Sequence, residues 1–405
     1  MSRFLFVVPP LAGHIHPPAA VAAELAERGH EISWAGQPAV IERLAGTKAR
    51  IYPCAGPAGI DDRPRDLRGV AALKFLWEDF FGPLAQAMAP GVTTAALEAG
   101  PDVMVVDQQT VAGALVAERL GVPYVSSSTT SAELSGSLVG MPKVDEWITG
   151  LLDGLRQRLG DPSARYDPRF SPRLTLVFST EELTGPQPLA AQGPVAYVGP
   201  ALGPRPDVPD FPWRWIDADD GRDLALISLG TANTAVGARF LESCVQAVRA
   251  RADRLRAVVV DPGGVLGEPA ADDDVLIHPA VPQLSLLEQA DAVVCHAGHN
   301  TVTEALWHGV PLVVAPIRDD QPVVASQVTA AGAGVRVRFG RADAVRIGGA
   351  LDAVLREPSY RATARRIRDS FRAAGGAGSA AVRLEQLAAE EEEEEEEPWW
   401  TELSL

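Results

Sequence analysis

Residues 292–324 read AVVCHAGHNTVTEALWHGVPLVVAPIRDDQPVV, and this stretch decides the fold. An apolar run ends at Cys295, and a short glycine-containing turn follows it. A helix is then predicted to begin at Asn300 or Thr301 and to end at Gly309, shortly before a second apolar run. The order of strand, turn, helix and strand is the repeating unit of an open parallel sheet, and such sheets bind ligands at the carboxyl ends of their strands.

The turn between the first strand and the helix has the composition of an anion site. A helix N-terminus offers free backbone N–H groups and the positive end of the helix dipole. His296 adds a ring donor, Asn300 and Thr301 add side-chain donors, and Gly298 lets the backbone approach a ligand closely. The predicted ligand is a diphosphate. An alternative stays open, because Thr301 followed by Glu304 also forms a capping box that stabilises a helix start without a ligand.

Two polar residues, Asp320 and Gln321, follow the next strand end and are predicted to face the same crevice and to hold sugar hydroxyls. The signature residues are Pro282-Gln283, His296 to Thr301, Glu304, Gly309-Val310-Pro311 and Asp320-Gln321. This pattern resembles the donor-binding signature of UDP-glycosyltransferases, and it is most similar to the bacterial branch that decorates macrolides, enediynes and other natural products. The resemblance extends from the first strand to about residue 385. It implies an α/β protein of the GT-B fold, in which two Rossmann-like domains with parallel sheets face each other across a cleft.

Composition restricts the class of protein. The 405 residues are 46% hydrophobic and 22% charged, as expected for a globular chain of two domains. No apolar run reaches the roughly 18 residues that span a bilayer, and the N-terminus is interpreted as a strand rather than a signal peptide. Three distant cysteines favour a reducing cytoplasm. The net charge is −17, and removing the eight charges of Glu390–Glu397 leaves −9, which argues against a nucleic-acid partner.

Alternating strand and helix patterns, interrupted once by a Pro-, Gly- and Asp-rich stretch, divide the chain into two halves. The predicted units are an acceptor-binding domain (1–205), a linker (206–223), a nucleotide-sugar-binding domain (224–358), a helical region that crosses back to the first domain (359–389) and an acidic tail (390–405). The tail is interpreted as a disordered, solvated extension. It could instead prolong the last helix, and Trp399 and Trp400 could dock elsewhere.

A proton acceptor is predicted at the mouth of the first sheet. The turn after the first strand carries His14 and His16, and histidine is the side chain best suited to accept a proton near neutral pH. Asp107 follows another apolar run, so it should face the same crevice. The resemblance implies His14 as the base and Asp107 as its orienting partner, because Gly-His-x-x-Pro matches the family's motif. Two alternatives remain. Asp107 could cap a helix that begins near Thr110, and His16 could be a pocket residue, a cap or the base itself.

The resemblance also implies the residues that hold the donor. The set is Ser228, Gly230, Thr231, Val281, Gln283, His296, Gly298, His299, Asn300, Thr301, Glu304, Asp320 and Gln321. Ser228 and Thr231 would reach the phosphates, Glu304 the ribose, and Gln283 with the backbone of Val281 the base. Many relatives have Trp where Ala280 stands, a ring that stacks on the nucleobase, so the choice between UDP and dTDP is open. Relatives also often have Asn where Val324 stands, a difference that concerns the polar contacts of the donor sugar. No convincing metal motif is present, and the implied reaction is an inverting transfer that needs no metal and no cofactor beyond the nucleotide-sugar substrate.

The acceptor is predicted to bind in the first domain, where irregular segments carry aromatic residues. The acceptor-site set is His16, Trp77, Phe80, Phe81 and Trp147. The same aromatic side chains could instead pack a helix onto the core. The predicted function is glycosyl transfer from a small-molecule donor to a small-molecule acceptor, with a homodimer left open as the assembly. The alternatives are a noncatalytic nucleotide-sugar-binding or partner-activating protein and a sugar-nucleotide epimerase.

Overall fold

The computed structural model describes residues 1–57, 64, 67, 69–134, 141–186, 191, 193–205, 208–218, 220–230 and 237–396. The strands among these residues form two sheets of seven strands each. The strands of the first sheet are β1 (Arg3–Val7), β2 (Glu31–Gly36), β3 (Arg50–Pro53), β4 (Val103–Asp107), β5 (Tyr124–Ser128), β6 (Thr175–Val177) and β7 (Val195–Tyr197). The strands of the second sheet are β8 (Asp223–Ser228), β9 (Leu255–Val260), β10 (Ala270–Ala271), β11 (Val275–His278), β12 (Ala292–Cys295), β13 (Leu312–Val314) and β14 (Gly334–Arg336).

Helices alternate with these strands along the chain. Those of the first half are α1 (Ala12–Glu27), α2 (Pro38–Ala45), α3 (Gly69–Lys74), α4 (Gly82–Ala99), α5 (Val111–Leu120), α6 (Pro142–Leu159) and α7 (Glu181–Thr184). Those of the second half are α8 (Trp213–Ile216), α9 (Ala238–Arg249), α10 (Gln283–Leu287), α11 (His299–Trp307), α12 (Gln321–Ala331), α13 (Ala344–Arg356), α14 (Pro358–Ala374) and α15 (Gly376–Glu396). A π-helical segment, Phe75–Phe81, joins α3 to α4, and Phe339–Arg341 forms a 3₁₀ turn. None of the described helices has the length and apolar character that a membrane crossing needs.

Both sheets have the strand order of a doubly wound fold. The first has the order β3-β2-β1-β4-β5-β6-β7 with parallel pairing throughout. The second has the order β10-β11-β9-β8-β12-β13-β14, and only the short edge pair β10–β11 is antiparallel among the described strands. The order reverses between β1 and β4 in one sheet and between β8 and β12 in the other, which are the crevices where such sheets bind ligands. The predicted α/β fold with two Rossmann-like parallel sheets is confirmed.

Strand register brings the predicted site residues to these two crevices. Val7, the last residue of β1, pairs with Val106, so Asp107 lies at the carboxyl edge beside the segment that leads into α1. Cys295, the last residue of β12, pairs with Ser228, the last residue of β8. The turn that begins after Cys295 therefore starts beside Ser228.

Side chains of β1 show why the first sheet is stable. Phe4 and Phe6 are fully buried in a cluster on one face, and Leu5 and Val7 are fully buried in a cluster on the other. A parallel sheet covered by helices on both faces requires this continuous apolar run. Leu384 of α15 belongs to the Phe4 cluster, so the last helix packs on the first sheet. The predicted domain boundaries themselves stay a prediction.

Two helix limits differ from the expectation. Helix α1 begins at Ala12 and contains Pro17 and Pro18, so His14 and His16 lie in its first turns and not in a preceding loop. Proline fits the early turns of a helix, where few backbone N–H groups have helical partners. The acidic run prolongs α15 as far as Glu396. Over these residues the interpretation as a disordered extension is wrong, and the alternative, a longer last helix, is confirmed. Trp399 and Trp400 lie outside the described residues.

Candidate active site

His14 and Asp107 form a contact at the crevice of the first sheet. His14 Nδ1 lies 2.9 Å from Asp107 Oδ2, and Asp107 is fully buried. The other carboxylate oxygen, Oδ1, accepts the backbone N–H of Gln109 at 2.9 Å. Thr110 is the N-cap of α5 without any side-chain capping bond, so Asp107 does not cap that helix. The structure thus brings together the two residues that the sequence paired, with a carboxylate on one ring nitrogen of a histidine.

Thr129, which the sequence reasoning missed, touches both members of this pair. Its Oγ1 lies 2.7 Å from His14 Nδ1 and 2.8 Å from Asp107 Oδ2. Thr129 directly follows β5, the neighbour of β4, and is buried. The available signal was the run Ser126–Ser131, six consecutive hydroxyl residues at the end of a strand next to the strand of Asp107.

The surroundings of the two histidines on α1 make them chemically different. Burial opposes the charged form of His14, but the charge of Asp107 and its hydrogen bond outweigh burial, with smaller contributions from Asp320 and Glu133, and raise the pKa above 6.5. Burial, and then the charge of Arg205, lower the pKa of His16 to about 4. A general base works best with a pKa near the working pH, so the electrostatics favour His14 over His16 in that role.

The turn after β12 leads into α11 without a side-chain cap. The helix begins at His299, just before the predicted start at Asn300 or Thr301, and Gly298 is its N-cap. The alternative of a capping box is therefore wrong, because Thr301 is the third helical residue and not the cap. The first N–H groups of a helix have no partner within it. Ala297, in the same turn, has a φ of 66°, a left-handed conformation that costs a non-glycine residue on the order of 1 kcal/mol. A strained turn before an uncapped helix fits an anion site.

His296 is confined between two glycines. A Cβ built on Gly298 would lie 2.4 Å from its Nε2, and one built on Gly230 would lie 2.7 Å from its Cε1. Gly230 also has a φ of 68°, and its N–H donates to Ser228 Oγ at 3.3 Å. Burial lowers the pKa of His296 to about 4 against an opposing hydrogen bond with the backbone of Ser228, so the ring is neutral near pH 7. Thr231, the remaining residue predicted here, lies outside the described residues.

Two residues of α11 that were predicted to bind the sugar donor, Asn300 and His299, contact the first half of the chain. Asn300 Nδ2 donates to the backbone oxygen of Gly13 at 3.0 Å. In a helix that oxygen would accept from the residue four positions later, which is Pro17 and has no N–H. The proline therefore leaves a carbonyl free for Asn300. His299 Nε2 lies 3.3 Å from the backbone oxygen of Phe178, and burial lowers the pKa of His299 to about 4.

Glu304, predicted to hold the ribose, is nearly fully buried and has two partners. Arg205 forms a two-pronged salt bridge with its carboxylate, and Gln283 Nε2 donates to its Oε2 at 2.6 Å. Arg205 lies in the segment before the second sheet, and no pattern in the sequence distinguished it from other arginines. Val281, also in the predicted set, packs against the core of the second half.

The side chains of Asp320 and Gln321 both have hydrogen-bond partners within the protein. Asp320 Oδ2 accepts the hydroxyl of Thr130 at 2.7 Å, and burial raises the pKa of Asp320 although this hydrogen bond opposes the shift. Gln321 is buried, and its Oε1 accepts the backbone N–H groups of Ile317 at 2.9 Å and Arg318 at 3.1 Å. The amide oxygen of Gln321 thus holds its own turn, and the predicted contact of this residue with a sugar stays a prediction.

The aromatic residues predicted for the acceptor pocket lie in the core of the first half. Trp77, Phe80 and Phe81 are buried in the π-helical segment, and their rings contact each other. Positions 77, 80 and 81 are three and four residues apart, a spacing that places these rings on one side of the helical segment. Trp147 is partly buried against the same cluster, and its Nε1 donates to Glu78 at 3.2 Å. Their packing role is what the structure shows, and contact with an acceptor stays a prediction.

Comparison with known proteins adds an independent line of evidence. The family model of the erythromycin biosynthesis protein CIII-like C-terminal domain matches residues 267–387. The chain is 32% identical to 4'-demethylrebeccamycin synthase of Lentzea aerocolonigenes, over 92% of this chain and 96% of that protein. It is 27% identical to demethyllactenocin mycarosyltransferase of Streptomyces fradiae, over 96% of this chain and 87% of that protein. The crystal structure of the glycosyltransferase of kitacinnamycin superposes with a TM-score of 0.78 at 27% identity, covering 95% of this chain and 98% of that one.

Proposed function

This chain belongs to the natural-product glycosyltransferases of the GT-B fold, which use nucleotide-sugar donors, and we propose that it transfers its sugar with inversion and without a metal ion. The proposed donor is a dTDP- or UDP-linked sugar, and the proposed acceptor group is a hydroxyl of a hydrophobic natural product. The observation that carries the proposal is the 2.9 Å contact between His14 Nδ1 and Asp107 Oδ2. Relatives with transferase names match more than nine-tenths of this chain, which favours transfer over the epimerase and noncatalytic alternatives.

The first step of the proposed reaction is proton transfer to His14. Because Nδ1 faces Asp107, the lone pair of Nε2 is free to accept the proton of the acceptor hydroxyl. The acceptor oxygen attacks the anomeric carbon on the face opposite the diphosphate, the bond from that carbon to the diphosphate breaks, and the configuration inverts. Asp107 stabilises the imidazolium that forms. Such a base contributes roughly 10²- to 10⁴-fold to the rate.

The leaving nucleoside diphosphate is proposed to bind at the N-terminus of α11. Free N–H groups and the helix dipole stabilise negative charge there, and donors fixed before the reaction reorganise little as the charge develops. Ser228, His296 and Thr301 border this site as neutral donors. Glu304 and Gln283 are proposed to hold the ribose, where sugar hydroxyls would share the carboxylate with Arg205. None of these contacts needs a metal ion.

The test is the variant His14→Ala, assayed for transfer and, by calorimetry, for binding of dTDP and UDP. Turnover should fall at least 10²-fold while the affinity for the preferred nucleotide stays within about twofold, because His14 touches the acceptor and not the nucleotide. His30→Ala is the matched control, since His30 pairs with Glu385 away from the crevice. Normal turnover in His14→Ala, or a loss confined to nucleotide affinity, contradicts the proposal.

The cysteines and the net charge support the proposed compartment and partners of the enzyme. The cysteines Cys54, Cys244 and Cys295 are free and buried, which supports the proposal that the enzyme works in the reducing cytoplasm. The acidic composition supports small molecules rather than nucleic acid as partners. A homodimer stays a prediction.

A further inference from the structure

Thr129 lies within hydrogen-bonding distance of both His14 and Asp107, and the three polar atoms form a closed triangle with sides of 2.7, 2.8 and 2.9 Å. We propose that Thr129 is a positioning residue for the base: its hydroxyl holds the ring of His14 so that Nδ1 carries the proton and Nε2 faces the acceptor. The inference rests on the proposed function and extends it, because neither the family signature nor the comparisons assign a role to Thr129.

Counting protons in the triangle fixes the direction of each bond. An ionised carboxylate accepts and cannot donate, so the hydroxyl of Thr129 donates its one proton to Asp107 Oδ2. The lone pairs of Thr129 Oγ1 then point toward His14 Nδ1, which faces two acceptors and must carry the ring proton. The Nδ1 proton is shared between the carboxylate and the hydroxyl. This arrangement restrains the ring more tightly than a single contact would.

The burial of Thr129 makes this restraint effective. Only 3% of the residue is exposed, so water does not replace the hydroxyl when it is removed. The negative end of the hydroxyl dipole lies 2.7 Å from Nδ1 and stabilises the imidazolium that forms when the base takes its proton. The hydroxyl thus acts on both the orientation and the basicity of His14.

The variant Thr129→Val keeps the branched shape of the side chain and replaces this hydroxyl with a methyl group that forms no hydrogen bond. Turnover should fall about 10-fold with the KM values of both substrates nearly unchanged, because one hydrogen bond that orients the base is lost. The acid limb of the pH profile should move down by about half a unit to one unit, since the imidazolium loses a stabilising dipole. Thr129→Ser, which restores the hydroxyl, should recover most of the rate and return the limb toward its original position.

Other ionisable groups near the ring do not change in this variant. Asp107 at the end of β4, Glu133 in the loop after β5, Asp320 before α12 and His299 on α11 contribute to the electrostatics of the crevice and remain in place. A shift of the acid limb therefore reports on the hydroxyl. Thr175→Val is the matched control, because Thr175 is a fully buried threonine of the same sheet whose hydroxyl has no partner among the described residues.

The outcomes separate this inference from the proposed function. An unchanged acid limb and normal turnover in Thr129→Val, together with an inactive His14→Ala enzyme, would overturn the role of Thr129 and leave the base intact. A rise in the donor KM at unchanged turnover would also overturn it, because the hydroxyl would then act on the donor. If His14→Ala is fully active, the base itself is wrong, and the role of Thr129 fails with it.

Discussion

The variant Gly298→Ala tests the proposed diphosphate site through the confinement of His296. Gly298 has an extended backbone with φ −64° and ψ 135°, so alanine adds no backbone strain. The added Cβ would lie 2.4 Å from His296 Nε2, whereas such contacts are essentially never below 3.0 Å, so the ring must move by at least 0.6 Å. Overpacking of this kind costs about 1–3 kcal/mol. The free protein relieves this cost by moving the ring, and the bound form incurs it again when the ring returns to contact the diphosphate, so nucleotide affinity should fall by roughly 5- to 150-fold.

Calorimetry with dTDP and UDP measures this loss, and a double variant isolates its cause. In a His296→Ala background there is no ring to displace, so adding Gly298→Ala should change the dissociation constant by less than about threefold. Gly349→Ala is the control glycine, because it is an exposed residue of α13 whose added Cβ would meet nothing, and it should stabilise the helix by up to about 1 kcal/mol. The reasoning is refuted if Gly298→Ala binds both nucleotides normally, or if its cost is the same with and without the ring.

Three further outcomes are expected. Activity should fall as the pH drops below the pKa of His14, which is raised above 6.5, because the protonated ring no longer accepts a proton. An acid limb below 6.5 in the kcat/KM profile would contradict this. Arg205→Ala should lower the free energy of urea unfolding by about 1–3 kcal/mol, because it leaves the buried carboxylate of Glu304 without its partly exposed cation. Adding Glu304→Gln should recover most of this loss, and a double variant as unstable as the single one would count against the explanation. Treatment with EDTA should leave transfer intact, and a complete loss that Mg²⁺ restores would overturn the metal-free mechanism.

The sequence predicted the parts of the site that depend on strand ends. Asp107 and the His14 segment follow runs of buried apolar residues, and parallel strands bring their carboxyl ends to one edge, so their proximity required no knowledge of side-chain packing. The turn at His296 was predictable for the same reason. Gly298 was predicted to let the backbone approach a ligand, and in the structure the same glycine leaves room for the ring of His296.

Contacts between the two halves were beyond the reach of sequence patterns. The bridge from Arg205 to Glu304 and the bond from Thr130 to Asp320 depend on how the two sheets are placed relative to each other, and local periodicity carries no such information. The aromatic residues around Trp77 were ambiguous for another reason. A cluster of large rings has the same composition whether it lines a pocket or fills a core, and the spacing of these rings did not reveal the π-helical segment that carries them.

The bond between Asn300 and Gly13 constrains how this enzyme can be recombined with its relatives. Pro17 opens a gap in the hydrogen-bond ladder of α1, and an amide from the other half fills it. A chimaera that joins the first half of this chain to a second half lacking an amide at that position would leave the carbonyl of Gly13 to solvent, at a cost of about 0.5–1.5 kcal/mol. Exchanging the halves to combine new donors with new acceptors therefore requires the proline and the asparagine to be transferred as a matched pair.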